Sequence, residues 1–190
     1  MTRRARPGVT ILVLLLGLAA ESCSKPKTDR SNSQQSNATP AAPVGDACTL
    51  LTKEEIRAVQ GEIFKNTKPS QRVAAGLTVS QCYFELPTAA NSVVLTVTRK
   101  AEGGRDASQN WQDIFHSERR SERKEEGEEK EPQKIGGVGE EAFWTGTRVG
   151  GALFVLKGNC YIRISVGGAG DQAQKIEKSK ALAESVLKRL

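Results

Sequence analysis

Four cysteines and one histidine hold most of the reactive chemistry in these 190 residues: Cys23, Cys48, Cys82, Cys160 and His116. One histidine and no Cys-x-x-Cys pair leave no set of ligands for zinc. No Gly-x-Ser-x-Gly elbow and no phosphate-binding P-loop are present. His116 lies on a predicted helix beside a run of charges, where an exposed side chain is expected rather than a base. The stretch "GGAGD", residues 167–171, follows a strand and precedes a helix, so its N–H groups could cradle an anion. The spacing of neither nucleotide motif is met, and a glycine turn with Asp171 as helix cap is expected instead. Tyr83, Trp111, Phe143 and Trp144 could line an apolar pocket, and core packing explains them equally well. The expectation is a non-enzymatic protein with no catalytic, cofactor-binding or metal-binding residues.

Cys23 has a different setting from the other thiols. The chain opens Met-Thr-Arg-Arg-Ala-Arg and has no acid before Glu21. Residues 9–20 are uncharged and mostly apolar, and as a helix they would span about 18 Å, well short of a ~30 Å hydrocarbon core. A basic start, a short apolar run and small residues describe a secretory signal peptide over residues 1–22. Ala5-Arg6-Pro7 lacks the apolar residues that usually follow a twin-arginine pair, which favours general secretion. Ala20-Glu21-Ser22-Cys23 is similar to the box of bacterial lipoproteins, in which the cysteine is lipidated and becomes the first residue. Ala20 and Glu21 depart from that pattern. The alternative is cleavage after Ala19 or Ala20, giving a soluble secreted protein in which Cys23 pairs with another cysteine.

Residues 24–45 contain no aromatic, Leu or Ile residue. Such a composition does not offset the entropy of ordering, so residues 23–45 are expected to form a disordered tether. A flexible chain of this length has an r.m.s. span of about 25 Å. It suits a link between a bilayer and a folded domain. Stable anchoring needs two or more acyl chains, and a diacylglycerol thioether joined by an N-acyl chain on Cys23 meets that condition. The partner expected through this lipid is a membrane of the bacterial cell envelope, with the protein facing the periplasm or exterior.

Residues 46–190 suit one domain. Without Arg3, Arg4, Arg6 and Glu21 the chain keeps 25 basic and 21 acidic residues, a net charge of +4. No basic block is interleaved with aromatics, so nucleic acid is not an expected partner. Thr52 and Glu55 form a predicted capping box, Leu51 and Ile56 a hydrophobic staple, and Gly61 a stop, giving a helix over 53–60 with Ile56 and Val59 inward. Cys82, Phe84 and Leu86 alternate with Tyr83 and Glu85, and Val93, Leu95 and Val97 with Val94, Thr96 and Thr98. Both runs read as strands. Trp111, Ile114 and Phe115 give a helix over 107–120 capped by Asp106.

The segment 118–134 has seven acids and six bases. It reads as a solvated helix extension or loop, with docking to an envelope protein as the alternative. Residues 142–144 open another strand, and 152–166 form a hairpin turning at Gly158-Asn159. Cys160, Ile162, Ile164 and Val166 share one face of its second strand, opposite Tyr161, Arg163 and Ser165. A last helix over 172–189 carries Ile176, Ala183, Val186, Leu187 and Leu190 on its apolar stripe. The order αββαβββα predicts an α+β domain, a mostly antiparallel sheet covered by helices.

An exported chain meets an oxidising compartment, so with Cys23 lipidated one disulfide is expected among the other three cysteines. Cys48 with Cys82 is the first choice, closing a loop of about 34 residues worth roughly 3–4 kcal/mol. Cys82 with Cys160 remains open. A buried, inert thiol is the plain reading of Cys160.

The stretches "CTLLTKEEI", "CYF", "GGVGEEAFW" and "LFVLKGNCYIRISVGG" resemble a group of bacterial lipoproteins and secreted proteins of uncharacterised function. The similarity spans most of residues 46–190. It implies a Cys48–Cys82 pair and passes no role to Cys160. Some members of that group are similar in fold to the extrinsic lumenal protein of photosystem II, an antiparallel sheet between helices. The expected function is that of a membrane-anchored envelope lipoprotein whose domain binds a protein or small ligand. The alternative is an assembly accessory of an envelope complex.

Overall fold

A computed structural model describes residues 46–117, 131–146 and 150–190, all within the compact unit Pro40–Leu190. The Thr52 hydroxyl accepts from the Glu55 N–H at 3.2 Å, and Glu55 Oε2 accepts from the Thr52 N–H at 2.9 Å. This capping box satisfies two otherwise unpaired donors and starts α1 (Lys53–Gln60). Gly61, at φ 79°, ends it in a left-handed conformation that costs glycine little. Leu51 and Ile56 are buried in one core with Val59 against it.

Seven strands follow: β1 (Asn66–Ala74), β2 (Leu77–Glu85), β3 (Val93–Lys100), β4 (Gln133–Lys134), β5 (Glu141–Gly146), β6 (Gly151–Lys157) and β7 (Cys160–Val166). They form one sheet in the order β1-β2-β3-β7-β6-β5-β4, every neighbouring pair antiparallel. Among the described residues two further helices, α2 (Ala107–Phe115) and α3 (Gln172–Leu187), join the sheet in an α+β fold.

Among the described residues the order is αβββαββββα, two strands longer than the expected αββαβββα. β1 was missed because it has no hydrophobic alternation: almost all of "NTKPSQRVA" is exposed. It is an edge strand, where Pro69 is tolerated and an apolar face is not needed. β4 is two exposed residues on the opposite edge. Ala75 and Gly76, at φ 49° and 75°, close the β1–β2 hairpin with the two positive φ angles of a primed turn.

Two helix ends also differ. α2 stops at Phe115 with His116 as its cap, not at Arg120. Asp106 precedes α2 without capping it by its side chain, which bonds Lys100 and Asn159 instead. α3 stops at Leu187 with Lys188 as its cap. The expectations for the signal peptide, Cys23, the tether and residues 118–130 lie outside the described residues.

The pleat sorts side chains to two cores. One gathers Cys82, Phe84, Leu95, Val97, Leu153, Val155, Ile162 and Ile164 with Ile56 of α1 and Ile176, Leu182, Ala183 and Val186 of α3. α3 packs on β6 and β7, and α1 packs on α3. The opposite face holds Leu77, Phe143, Leu156 and Tyr161 against Ala107, Trp111 and Phe115 of α2. Each fully buried large side chain contributes about 1.5–3 kcal/mol.

Candidate functional site

The face of the sheet that carries α2 has chemistry at its centre. β7 is the fourth of seven strands, and Arg163 lies near its middle, on the side shared with Tyr161 and Ser165. Register sets Thr96 of β3 on one side of Arg163 and Phe154 of β6 on the other. Gln81 of β2 and Phe143 of β5 continue the same row. α2 packs against β7 and β3 and closes one end of this face through Tyr161 and Leu156. Arg163, Phe154, Thr96 and Tyr83 remain half-buried, and Gln81 is exposed.

The Arg163 guanidinium stands over the Phe154 ring at 5.8 Å from its centroid. It makes no hydrogen bond or ion pair among the described residues. Burial alone pushes its pKa down, because the charged form has lost water without gaining an anion.

The carboxylates by alternation on this face are arranged otherwise. Glu85 binds Lys65 at 3.2 Å and Lys68 at 3.1 Å. Glu141 accepts from Trp111 Nε1 at 2.8 Å, lies 2.8 Å from His116 Nε2 and pairs with Lys134 at 3.4 Å. Burial pushes the Glu141 carboxyl up, but the bonds from Trp111, His116 and Lys134 hold it below the ordinary range. His116 is an exposed side chain, its ring at 5.8 Å edge-on to Phe143. His116 and Glu141 form a dyad with no nucleophile bonded to it among the described residues.

An aromatic layer supports this end of the face. Trp111 packs on Phe115, Phe143 and Tyr161, and Phe115 stacks on Phe143 at 4.7 Å and meets Phe154 edge-on at 5.4 Å. Asn110 donates to the Tyr161 hydroxyl at 2.8 Å, tying α2 to β7. The four aromatic candidates therefore separate. Trp111 and Phe143 belong to this layer, Trp144 to the opposite core, and Tyr83 stands half-buried near Lys68.

Cys48 and Cys82 are joined by a disulfide, with Cα atoms 5.0 Å apart. It ties the 3₁₀ turn Ala47–Thr49 to β2. Cys160 is a free thiol and only half-buried, a correction to its reading as a buried one. It begins β7, where the strand emerges from its hairpin turn, and its thiol donates to the Lys157 carbonyl at 3.1 Å. Burial raises its pKa against the lowering influence of Arg99 and Lys157. In "GGAGD" the Gly167 N–H donates to Ser92 and Asp171 caps α3 in a box with Gln174.

Among the described residues no three His, Cys, Asp or Glu side chains gather into a metal-binding group. None of their helices is long and apolar enough to cross a membrane. Arg163 and Glu141 were absent from the sequence-level candidates. The available signal was a charge within a strand, on the face of β7 shared with Tyr161 and Ser165 and at the start of β5, whose neighbours are visible only once register is known. Comparison with protein-family models, curated proteins and solved structures finds no match.

Proposed function

We propose that this chain is a bacterial envelope lipoprotein, held to a membrane by lipid on Cys23, whose single α+β domain binds a protein or small ligand without catalysing a reaction. α1 and α3 shield one face of the sheet, while α2 covers one end of the other. The observation that carries the reading is the half-buried centre of that second face, with a cation and an aromatic ring side by side. A sheet centre is where a domain normally packs another layer, so a charged and partly open one is suited to an external ligand. The lipid anchor rests on the basic start, the short apolar run and the residues around Cys23.

Intact mass spectrometry of the membrane-extracted protein, with detergent partitioning, tests the anchor. A chain beginning at Cys23 with added acyl mass and partitioning into the detergent phase is expected. A chain beginning at Ala20 or Glu21 without acyl mass would make it a soluble secreted protein. Crosslinking in intact envelopes tests binding by the domain. A discrete adduct lost when the 46–190 domain is unfolded is the expected result, and an unchanged adduct counts against the reading.

A further inference from the structure

We propose that Arg163 and Phe154 form the floor of a binding site for a carboxylate attached to an apolar or aromatic group. The inference deepens the reading of this chain as a binding domain and rests on it for its biological meaning.

On the face carrying α2, Glu85 of β2 and Glu141 of β5, each two strands from β7, have cationic partners. The central cation has none among the described residues. The cross-strand neighbours of Arg163 are Thr96 and Phe154, and the next along the row are Gln81 and Phe143. None of these can neutralise a guanidinium. Taking a cation partly out of water without a counter-charge is unfavourable, and an arriving anion recovers that cost.

Ligand shape follows from the neighbours. A guanidinium presents a planar fork that matches a carboxylate through two parallel hydrogen bonds. The fork lies over the half-buried Phe154 ring at 5.8 Å from its centroid, and the buried Phe115 and Phe143 pack behind that ring. A carboxylate on the fork therefore places its apolar body against the open part of the Phe154 ring. Thr96 Oγ1 donates to Gln81 Oε1 at 3.3 Å, which leaves the Gln81 amide N–H groups free of that bond and on the same row. An inorganic anion would use the fork and gain nothing from the Phe154 ring.

The test uses the purified full chain in detergent micelles, titrated with benzoate, benzamide and inorganic phosphate while the Arg side-chain and backbone N–H resonances are followed by NMR. Saturable benzoate shifts centred on the Arg163 Nε–H and the β6 and β7 amides are expected, with benzamide at least tenfold weaker. Arg163→Gln should weaken benzoate at least tenfold, whereas Arg72→Gln, an exposed charge on β1, should leave it unchanged. Equal binding of benzamide, phosphate binding as tightly as benzoate, unchanged benzoate binding in R163Q, or no saturable shift would each overturn the inference. The comparison of benzoate with benzamide needs no variant and stands even if R163Q folds poorly. Membrane partitioning does not depend on Arg163, and envelope crosslinking of the wild type registers a bound partner of any chemistry, so a failure of benzoate binding alone is distinguishable from a failure of the broader reading.

Discussion

Arg189, just beyond α3, reaches Glu55 of α1 with two hydrogen bonds, Nη2 to Oε1 at 2.9 Å and Nη1 to Oε2 at 3.1 Å. The same guanidinium donates to the Leu50 and Ser185 carbonyls. Glu55 is also the carboxylate of the α1 capping box, so one residue near the end of the chain secures the start of the first helix. Burial pushes the Glu55 carboxyl up, but the Arg189 bond, the Thr52 N–H and the Arg189 charge hold it below its ordinary value.

Arg189→Gln is therefore expected to cost about 1 kcal/mol at neutral pH, the upper range for a partly exposed pair. Because the folded pKa of Glu55 is depressed, its contribution is present above the unfolded value near about 4.3 and is lost as pH falls through the folded value. Urea unfolding of wild type and variant should show a gap at pH 7 that closes in acid. A gap independent of pH would contradict the pairing.

Glu141 titrates in the same sense. Glu141→Gln leaves Trp111 an acceptor but removes the charge that His116 and Lys134 face. A loss of about 1 kcal/mol is expected near pH 7. It should fade as pH drops below the usual carboxylate range, because the wild-type carboxyl then takes up its proton. Urea midpoints measured between about pH 2 and 7 check the sign.

The disulfide between Cys48 and Cys82 closes a separation of 34 residues. The double variant C48A/C82A should lose roughly 3–4 kcal/mol, as should reduction of the wild type. Denaturant melts with and without reductant measure it. A reductant effect that persists in the double variant would point to a bridge through Cys160.

Trp111 is fully buried between α2 and the sheet. Trp111→Ala should cost about 3–5 kcal/mol through the cavity it leaves, and it also orphans Glu141 of a donor. Trp111→Phe should lose less, since most ring contacts remain. Thermal unfolding of the two variants separates packing from the lost hydrogen bond.

Gly167 illustrates a backbone constraint. A Cβ there would lie 2.0 Å from the Ala90 carbonyl oxygen, whereas at Gly136 it would meet nothing within 4 Å. Gly167→Ala should lower the melting temperature by several degrees and Gly136→Ala should leave it nearly unchanged.

The elements legible in the residues were those whose signal is local. Thr52 with Glu55, Asp171 before α3, the alternation of Cys82, Phe84 and Leu86, and the Gly158 turn at φ 56° are each decided within a few residues by capping, pleat and turn chemistry. β1 was hidden because an edge strand exposed on both faces has no apolar period to read, and Ala75-Gly76 is a weak turn signal beside Asn-Gly. The end of α2 at Phe115 likewise depends on a distant partner, since His116 turns out of the helix and lies against Glu141.

The sequence by itself determined the α+β class, the helix starts, the inward faces of the main strands and the expectation for Cys23. Only the tertiary structure decided which strands are neighbours, and so that Arg163 stands at the sheet centre between Thr96 and Phe154 while Glu85 and Glu141 find lysines. The physical reason is that alternation states which way a side chain points along its own strand. What it meets depends on the register of strands far apart in the chain, set by packing of the buried faces.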